Sequence, residues 1–169
     1  SGNPALYTLA SVKQALDWVI ANRVKYNIAV VSLSQGGIKA GCRVPDGMAA
    51  QFATLKATNV PVVVSIGNNS SKTDSNSPAC LADAVAVGAT DNPWPGVQPI
   101  AFDAKAKPYL ARYNNVSPAV DFYANARWFV LNRDGTRKFE VGTSTATASF
   151  AGWWFVVVCL QLVEFECEG

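Results

Sequence analysis

Three short segments combine serine, asparagine and glycine beside apolar runs: S-L-S-Q-G-G at 32–37, S-I-G-N-N-S at 65–70 and V-G-T-S-T-A-T-A-S-F-A-G at 141–152. In the third, Ser144 follows Gly142 and Thr143 and heads a run of small residues able to open a helix. A serine in the first turn of a helix meets free N–H groups and the positive end of the peptide dipole, both of which favour developing negative charge. Two uses fit it on these grounds: a nucleophile, or a cap supplied by Ser144 or Thr143, capping being the commoner use of such residues in an isolated motif. A nucleophilic serine needs a base to take its proton, and the 169 residues contain no histidine. Gly67-Asn68-Asn69 reads locally as a turn in which asparagine tolerates left-handed backbone.

The elements that must position these segments follow from periodicity. Ser11 precedes V-K-Q-A-L-D-W-V-I-A-N-R-V, where Val12, Ala15, Leu16, Val19 and Ile20 recur at helical spacing and Gln14 stands at the capping-box position. I-A-V-V-S-L-S at 28–34 is a short, nearly continuous apolar run, as expected of a strand covered on both faces of a parallel sheet. Met48, Phe52 and Leu55 then mark a second helix, and V-P-V-V-V-S-I-G at 60–67 repeats the buried-strand pattern. D-A-V-A-V-G-A-T at 83–90 predicts a third strand and V-D-F-Y-A at 120–124 a fourth, with a loop-rich stretch between them. Helix and strand alternating in this way predict right-handed crossovers and a mainly parallel sheet, with ligands bound outside the carboxyl ends of the strands.

Half the residues are apolar, enough for the core of one domain or of one part of a domain. The net charge of +2 is spread through mixed-sign segments, which gives no reason to expect a nucleic acid or a membrane as partner. The first residues lack the basic start and apolar core of a signal peptide, so a leader is expected to be removed or absent. W-W-F-V-V-V-C-L-Q-L-V at 153–163 is too short to span a bilayer and reads as a buried element. Cys42, Cys80, Cys159 and Cys167 match neither a zinc nor a redox-pair spacing, and their even number fits disulfides or buried thiols alike.

Taken together and in this order, the three segments resemble the substrate strand, oxyanion-hole loop and nucleophile helix of the subtilisin-like serine proteases, the subtilases. A-L-D-W-V-I-A-N at 15–22, S-P-A-C-L-A-D-A-V-A-V-G-A-T-D at 77–91 and A-R-Y-N-N-V-S-P-A-V-D-F-Y-A at 111–124 resemble the family's intervening segments. The likeness is strongest over 10–152 and leaves 153–169 as a divergent tail. It implies an α/β fold, a mainly parallel sheet with helices on both faces, incomplete at its N-terminal side, so that 1–169 form a single partial catalytic domain. Sedolisins share the G-T-S motif but use a glutamate as base, and the helix that would supply it reads Gln14-Ala15-Leu16-Asp17, which ranks that family lower.

The resemblance also implies roles. Ser144 would be the nucleophile of an endopeptidase working through an acyl-enzyme, and Asn68 the side-chain donor to the oxyanion. Ser34, Gln35 and Gly36 would pair with an extended peptide, and Ser65, Ile66 and Gly67 would form the opposite wall of the pocket. A Cys42–Cys80 disulfide and a secreted or extracytoplasmic location follow by the same likeness, with a peptide or protein as substrate. No cofactor is implied; calcium occurs in the family, but no spacing of acidic residues here defines a cage of oxygen ligands. The family's aspartate and histidine are expected upstream of Ser1. The alternatives are an inactive pseudoprotease or peptide-binding module of the same fold, and a globular α/β piece without activity.

Overall fold

The computed structural model describes residues 8–38, 42–44, 47–90 and 110–161. A four-stranded, all-parallel sheet forms its centre. Its strands are β1 (Val31–Leu33), β3 (Val62–Ser65), β5 (Ala84–Thr90) and β6 (Phe122–Asn125), in the spatial order β1-β3-β5-β6. Two small antiparallel pairs accompany it: β2 (Gly37–Ile38) with β4 (Asn76–Ser77), and β7 (Arg127–Leu131) with β8 (Arg137–Val141).

Strand β3 explains the architecture. Successive side chains of a strand point to opposite faces, so V-V-V at 62–64 needs apolar cover on both. Val62 and Val64 pack with Val12 and Leu16 of helix α1 (Leu9–Asn22) and with Met48, Phe52 and Leu55 of helix α2 (Met48–Ala57). Val63, with Val87 and Ala89 of β5, packs against Ala146, Phe150 and Ala151 of helix α3 (Thr143–Gln161). Burying each of the larger side chains contributes about 1.5–3 kcal/mol. Helices therefore cover both faces, and the loops bearing the three polar segments emerge at the carboxyl ends of β1 and β3 and at the start of α3.

Several expectations shift in detail. Thr8, not Ser11, caps α1: the Thr8 side chain accepts from the Ser11 N–H, and the Ser11 hydroxyl accepts from the Thr8 N–H, both at 3.0 Å. This reciprocal pair satisfies two donors at once and draws Leu9 into the helix, where it packs on the core. Thr8→Ala is expected to cost about 1 kcal/mol, read as a lower urea midpoint with an unchanged slope. Strand β1 is not covered on both faces; Ser32 is exposed, because β1 lies at a sheet edge with β3 as its neighbour.

The β7–β8 hairpin was not anticipated, although Asp134-Gly135 between two β-rich runs is a hairpin signal. The apolar run from Trp153 is not a buried element: Trp153 is 56 % exposed and Phe155, Val156 and Leu160 are exposed too. Its helix starts ten residues earlier than the apolar run, so the sheet has been covered by Ala146, Phe150 and Ala151 before the bulky residues begin. Thr143–Leu160 is long and apolar enough to cross a membrane by length and composition alone, a test that core helices also pass. Of the loop-rich stretch, 91–109 lie outside the described residues, as do 1–7 and 162–169.

Candidate active site

Ser144 is the second residue of α3 and half-buried. Its hydroxyl donates to the Ser34 carbonyl oxygen at 3.2 Å, and the Ser34 hydroxyl donates back to the Ser144 carbonyl oxygen at 2.9 Å. This reciprocal pair joins the end of β1 to the first turn of α3 across 110 residues of sequence.

Asn68 stands on the loop that leaves β3. Its Oδ1 accepts the Thr143 N–H at 2.9 Å, one of the first-turn donors that a helix cannot satisfy internally. The carboxamide is thereby turned so that Nδ2 has no hydrogen-bond partner among the described residues. A Cβ on Gly142 would lie 3.4 Å from that nitrogen, so the turn into α3 stays slim where Asn68 comes over it. Asn68, Ser144 and Ser34 thus border one small, partly exposed volume, with the positive end of α3 facing it.

The two proposed walls differ in character. Gln35 is exposed and Ser34 half-buried, whereas Ser65 and Ile66 are 3 % and 0 % exposed. The Ile66 main chain is spent within the fold: its N–H donates to Val87, and its carbonyl accepts from Asn76 N–H. Gly36 and Gly67 both lie against Asn76; a Cβ on Gly36 would meet the Asn76 Cβ at 3.0 Å, and one on Gly67 the Asn76 Cγ at 2.6 Å. The β2–β4 ribbon therefore closes the space between the walls. Cys42, just beyond β2, forms a disulfide with Cys80, just beyond β4, and so ties the two arms of that ribbon together.

Sequence reasoning missed the asparagines behind the cleft. Asn114 is 1 % exposed and holds β5 by a two-way pair, accepting the Ala89 N–H at 2.8 Å and donating to the Ala89 carbonyl at 2.7 Å. Asn115 is fully buried and bonded to the Asn68 loop at several points. Y-N-N-V at 113–116 carries a usable signal, because two adjacent asparagines between apolar residues must find partners if buried.

Among the described residues no carboxylate bonds to Ser144, and no cluster of His, Cys, Asp or Glu could hold a metal ion. The chemistry these groups can supply is therefore an activated position for a serine oxygen and donors for an anion beside it, without a proton acceptor.

Comparison with solved structures gives the same architecture. The prenylagaramide maturation protease PagA superposes with a TM-score of 0.76 at 18% identity, over 96% of this chain and 53% of its own. A cold adapted subtilisin-like serine proteinase gives 0.65 at 22% identity, over 94% and 50%. The PatG macrocyclase in complex with peptide gives 0.61 at 17% identity, over 86% and 40%. The chain thus spans about half or less of each structure's length. Comparison with curated protein sequences gives no match. The sequence model of the subtilase family matches residues 2–158, nearly the whole length, and on that ground the chain belongs to the subtilase family.

Proposed function

We propose that these residues form the nucleophile and oxyanion side of a peptide-bond-hydrolysing site, one part of a subtilase catalytic domain that works as an endopeptidase through an acyl-enzyme. Ser144 attacks the scissile carbonyl, and Asn68 Nδ2 donates to the oxyanion that develops. The observation that carries this reading is the 2.9 Å bond from the Thr143 N–H to Asn68 Oδ1, which sets a free amide donor against the first turn that bears the serine. Ser34, Gln35 and Gly36 receive an extended peptide as an added strand, and the Ser65-Ile66-Gly67 segment bounds the pocket for the side chain before the cleaved bond. Serine-based acyl transfer of this kind needs no cofactor. A peptide or protein substrate agrees with the peptide bound to a structural relative, and the disulfide supports a secreted or extracytoplasmic setting.

The proton acceptor lies outside these 169 residues, which hold no histidine. The isolated chain therefore shows no peptide turnover above background: sites stripped of their triad keep only about 10³–10⁴-fold acceleration over water, too little for ordinary assays. A second reading, a peptide-binding module without catalysis, draws support from the Ser144 hydroxyl, whose proton is held by the Ser34 carbonyl.

A peptide boronic acid tests the site without requiring turnover. Ser144 Oγ adds to the trigonal boron, its proton passes to solvent, and the resulting tetrahedral centre places an oxygen against Asn68. A tetrahedral ¹¹B signal lost in Ser144→Ala is the expected result; binding unchanged by that substitution overturns the assignment of the nucleophile. Fluorogenic peptide turnover abolished by Ser144→Ala would instead overturn the inactivity of the isolated chain.

A further inference from the structure

We propose that Asn115 is the positioning residue that aims Asn68, an inference that rests on the reading of Asn68 as oxyanion donor given above. The loop carrying Asn68 cannot hold itself in place. It leaves β3 after Ser65, turns at Gly67, whose φ is +107°, passes through Asn68 and Asn69, and turns again at Ser70, whose φ is +54°. Asn68, Asn69 and Ser70 are all exposed. A loop of exposed residues in such backbone conformations adopts one shape only when something fixed supplies its hydrogen bonds.

Asn115 supplies them. Its Oδ1 accepts the Asn69 N–H at 3.0 Å and the Ser71 N–H at 3.1 Å, so one oxygen grips the loop on the far side of Asn68. Its Nδ2 donates to the Ile66 carbonyl at 3.1 Å and reaches Asn76 Oδ1 at 3.4 Å, which grips the near side. Its backbone N–H donates to the Gly67 carbonyl at 3.0 Å. Asn68 thus stands directly between two residues bonded to Asn115, Gly67 through its carbonyl and Asn69 through its N–H. The Ser70 N–H is taken by the carbonyl of Tyr113, two positions before, so the same segment closes the far turn.

The anchor is rigid. Asn115 is 0 % exposed, and Asn114 beside it is fixed to both backbone groups of Ala89 in β5. The orientation of the Asn68 carboxamide is thus referred to the central sheet through Asn114 and Asn115, and passed to α3 through the Thr143 N–H. Buried carboxamides with every bond made hold one geometry, and a half-made network holds none. Only asparagine has an acceptor and a donor at this reach: alanine removes both, and glutamine is one methylene too long for a site already filled against Gly67, where the Asn115 nitrogen would stand 2.3 Å from an added Cβ.

The test uses the whole 169-residue chain, a peptide boronic acid as probe and amide hydrogen exchange as a second readout. Asn115→Ala is expected to weaken boronate binding by about tenfold or more, the loss that goes with a misaimed anion donor, while a plain peptide amide of the same sequence binds as before. The Thr143 amide, which reports Asn68 Oδ1, should exchange faster, whereas the Phe150 amide in the interior of α3 keeps its protection. A merely structural role would change Thr143 and Phe150 together and both ligands alike, and that result overturns the proposal. So does boronate binding and Thr143 exchange left unchanged by Asn115→Ala in a chain whose wild type forms the adduct. Failure of the wild type to form any adduct at Ser144 speaks against the proposed function instead. Should Asn115→Ala not fold, the unsubstituted chain decides: protection of the Asn69 and Ser71 amides supports the clamp, and exchange at the rate of open loops overturns it.

Discussion

Replacing Gly67 by alanine is expected to lower the unfolding free energy by about 3 kcal/mol, combining overpacking with backbone strain. The added Cβ would lie 2.3 Å from Asn115 Nδ2 and 2.6 Å from both Asn76 Cγ and Asn76 Nδ2, distances that real Cβ atoms do not show. Neither asparagine can retreat, because Asn115 is fully buried and Asn76 is 7 % exposed. The φ of +107° adds its own cost, since a side chain there is strained whatever the space. Gly135, in the β7–β8 turn, separates the two terms: its φ is +81°, and an added Cβ would meet nothing within 4 Å. Gly135→Ala should therefore cost about 1 kcal/mol, the backbone term alone. Urea midpoints of the two variants decide the matter, and equal shifts would show that the contacts around Gly67 are looser than described.

Removing the Cys42–Cys80 disulfide, as Cys42→Ser with Cys80→Ser, is expected to cost about 3–4 kcal/mol in the chain-entropy account. The bridge closes a loop between residues 38 apart that holds α2, β3 and the whole Asn68 loop. It also joins the arms of the β2–β4 ribbon, which has only two residues on each side to hold it. Loss should fall on the ribbon first, so amides of Asn76 and Ser77 are expected to exchange faster than those of β3. An unfolding midpoint that does not move under reducing conditions would mean that the ribbon is held without the bridge. A free energy change below about 1 kcal/mol in the serine variant would say the same.

What could be read from sequence divides along physical lines. The buried strands were legible because β3 and β5 are covered on both faces and so carry uninterrupted apolar runs, 62–64 and 84–89. Helix α2 was legible through Met48, Phe52 and Leu55, all fully buried. The β7–β8 hairpin was not, because most of its residues are exposed, on both faces, and no alternation survives; Phe129, Leu131 and Lys138 stand in solvent together. Ser144 and Asn68 could be found as motifs, yet neither their proximity nor the Ser34–Ser144 pair is local, being fixed by the sheet. Asn115 escaped for a related reason: a buried carboxamide declares itself only when its partners, here 39 to 49 residues away, are known.

The division of the core between two faces has a consequence in time. The layer of α1 and α2 against the sheet needs no residue of its buried cluster beyond Ala86, whereas the opposite layer is closed by α3, whose Ser144 comes 58 residues later, counting from 86 to 144. Synthesis proceeds from the N-terminus at about 5–20 residues per second, so α3 follows by about 3–12 s. Through that interval Val63 and Val87 have the first layer behind them and no helix in front. The growing chain thus acquires a core before it acquires Ser144, and the face that will carry that serine is the one most in need of shelter until translation is done.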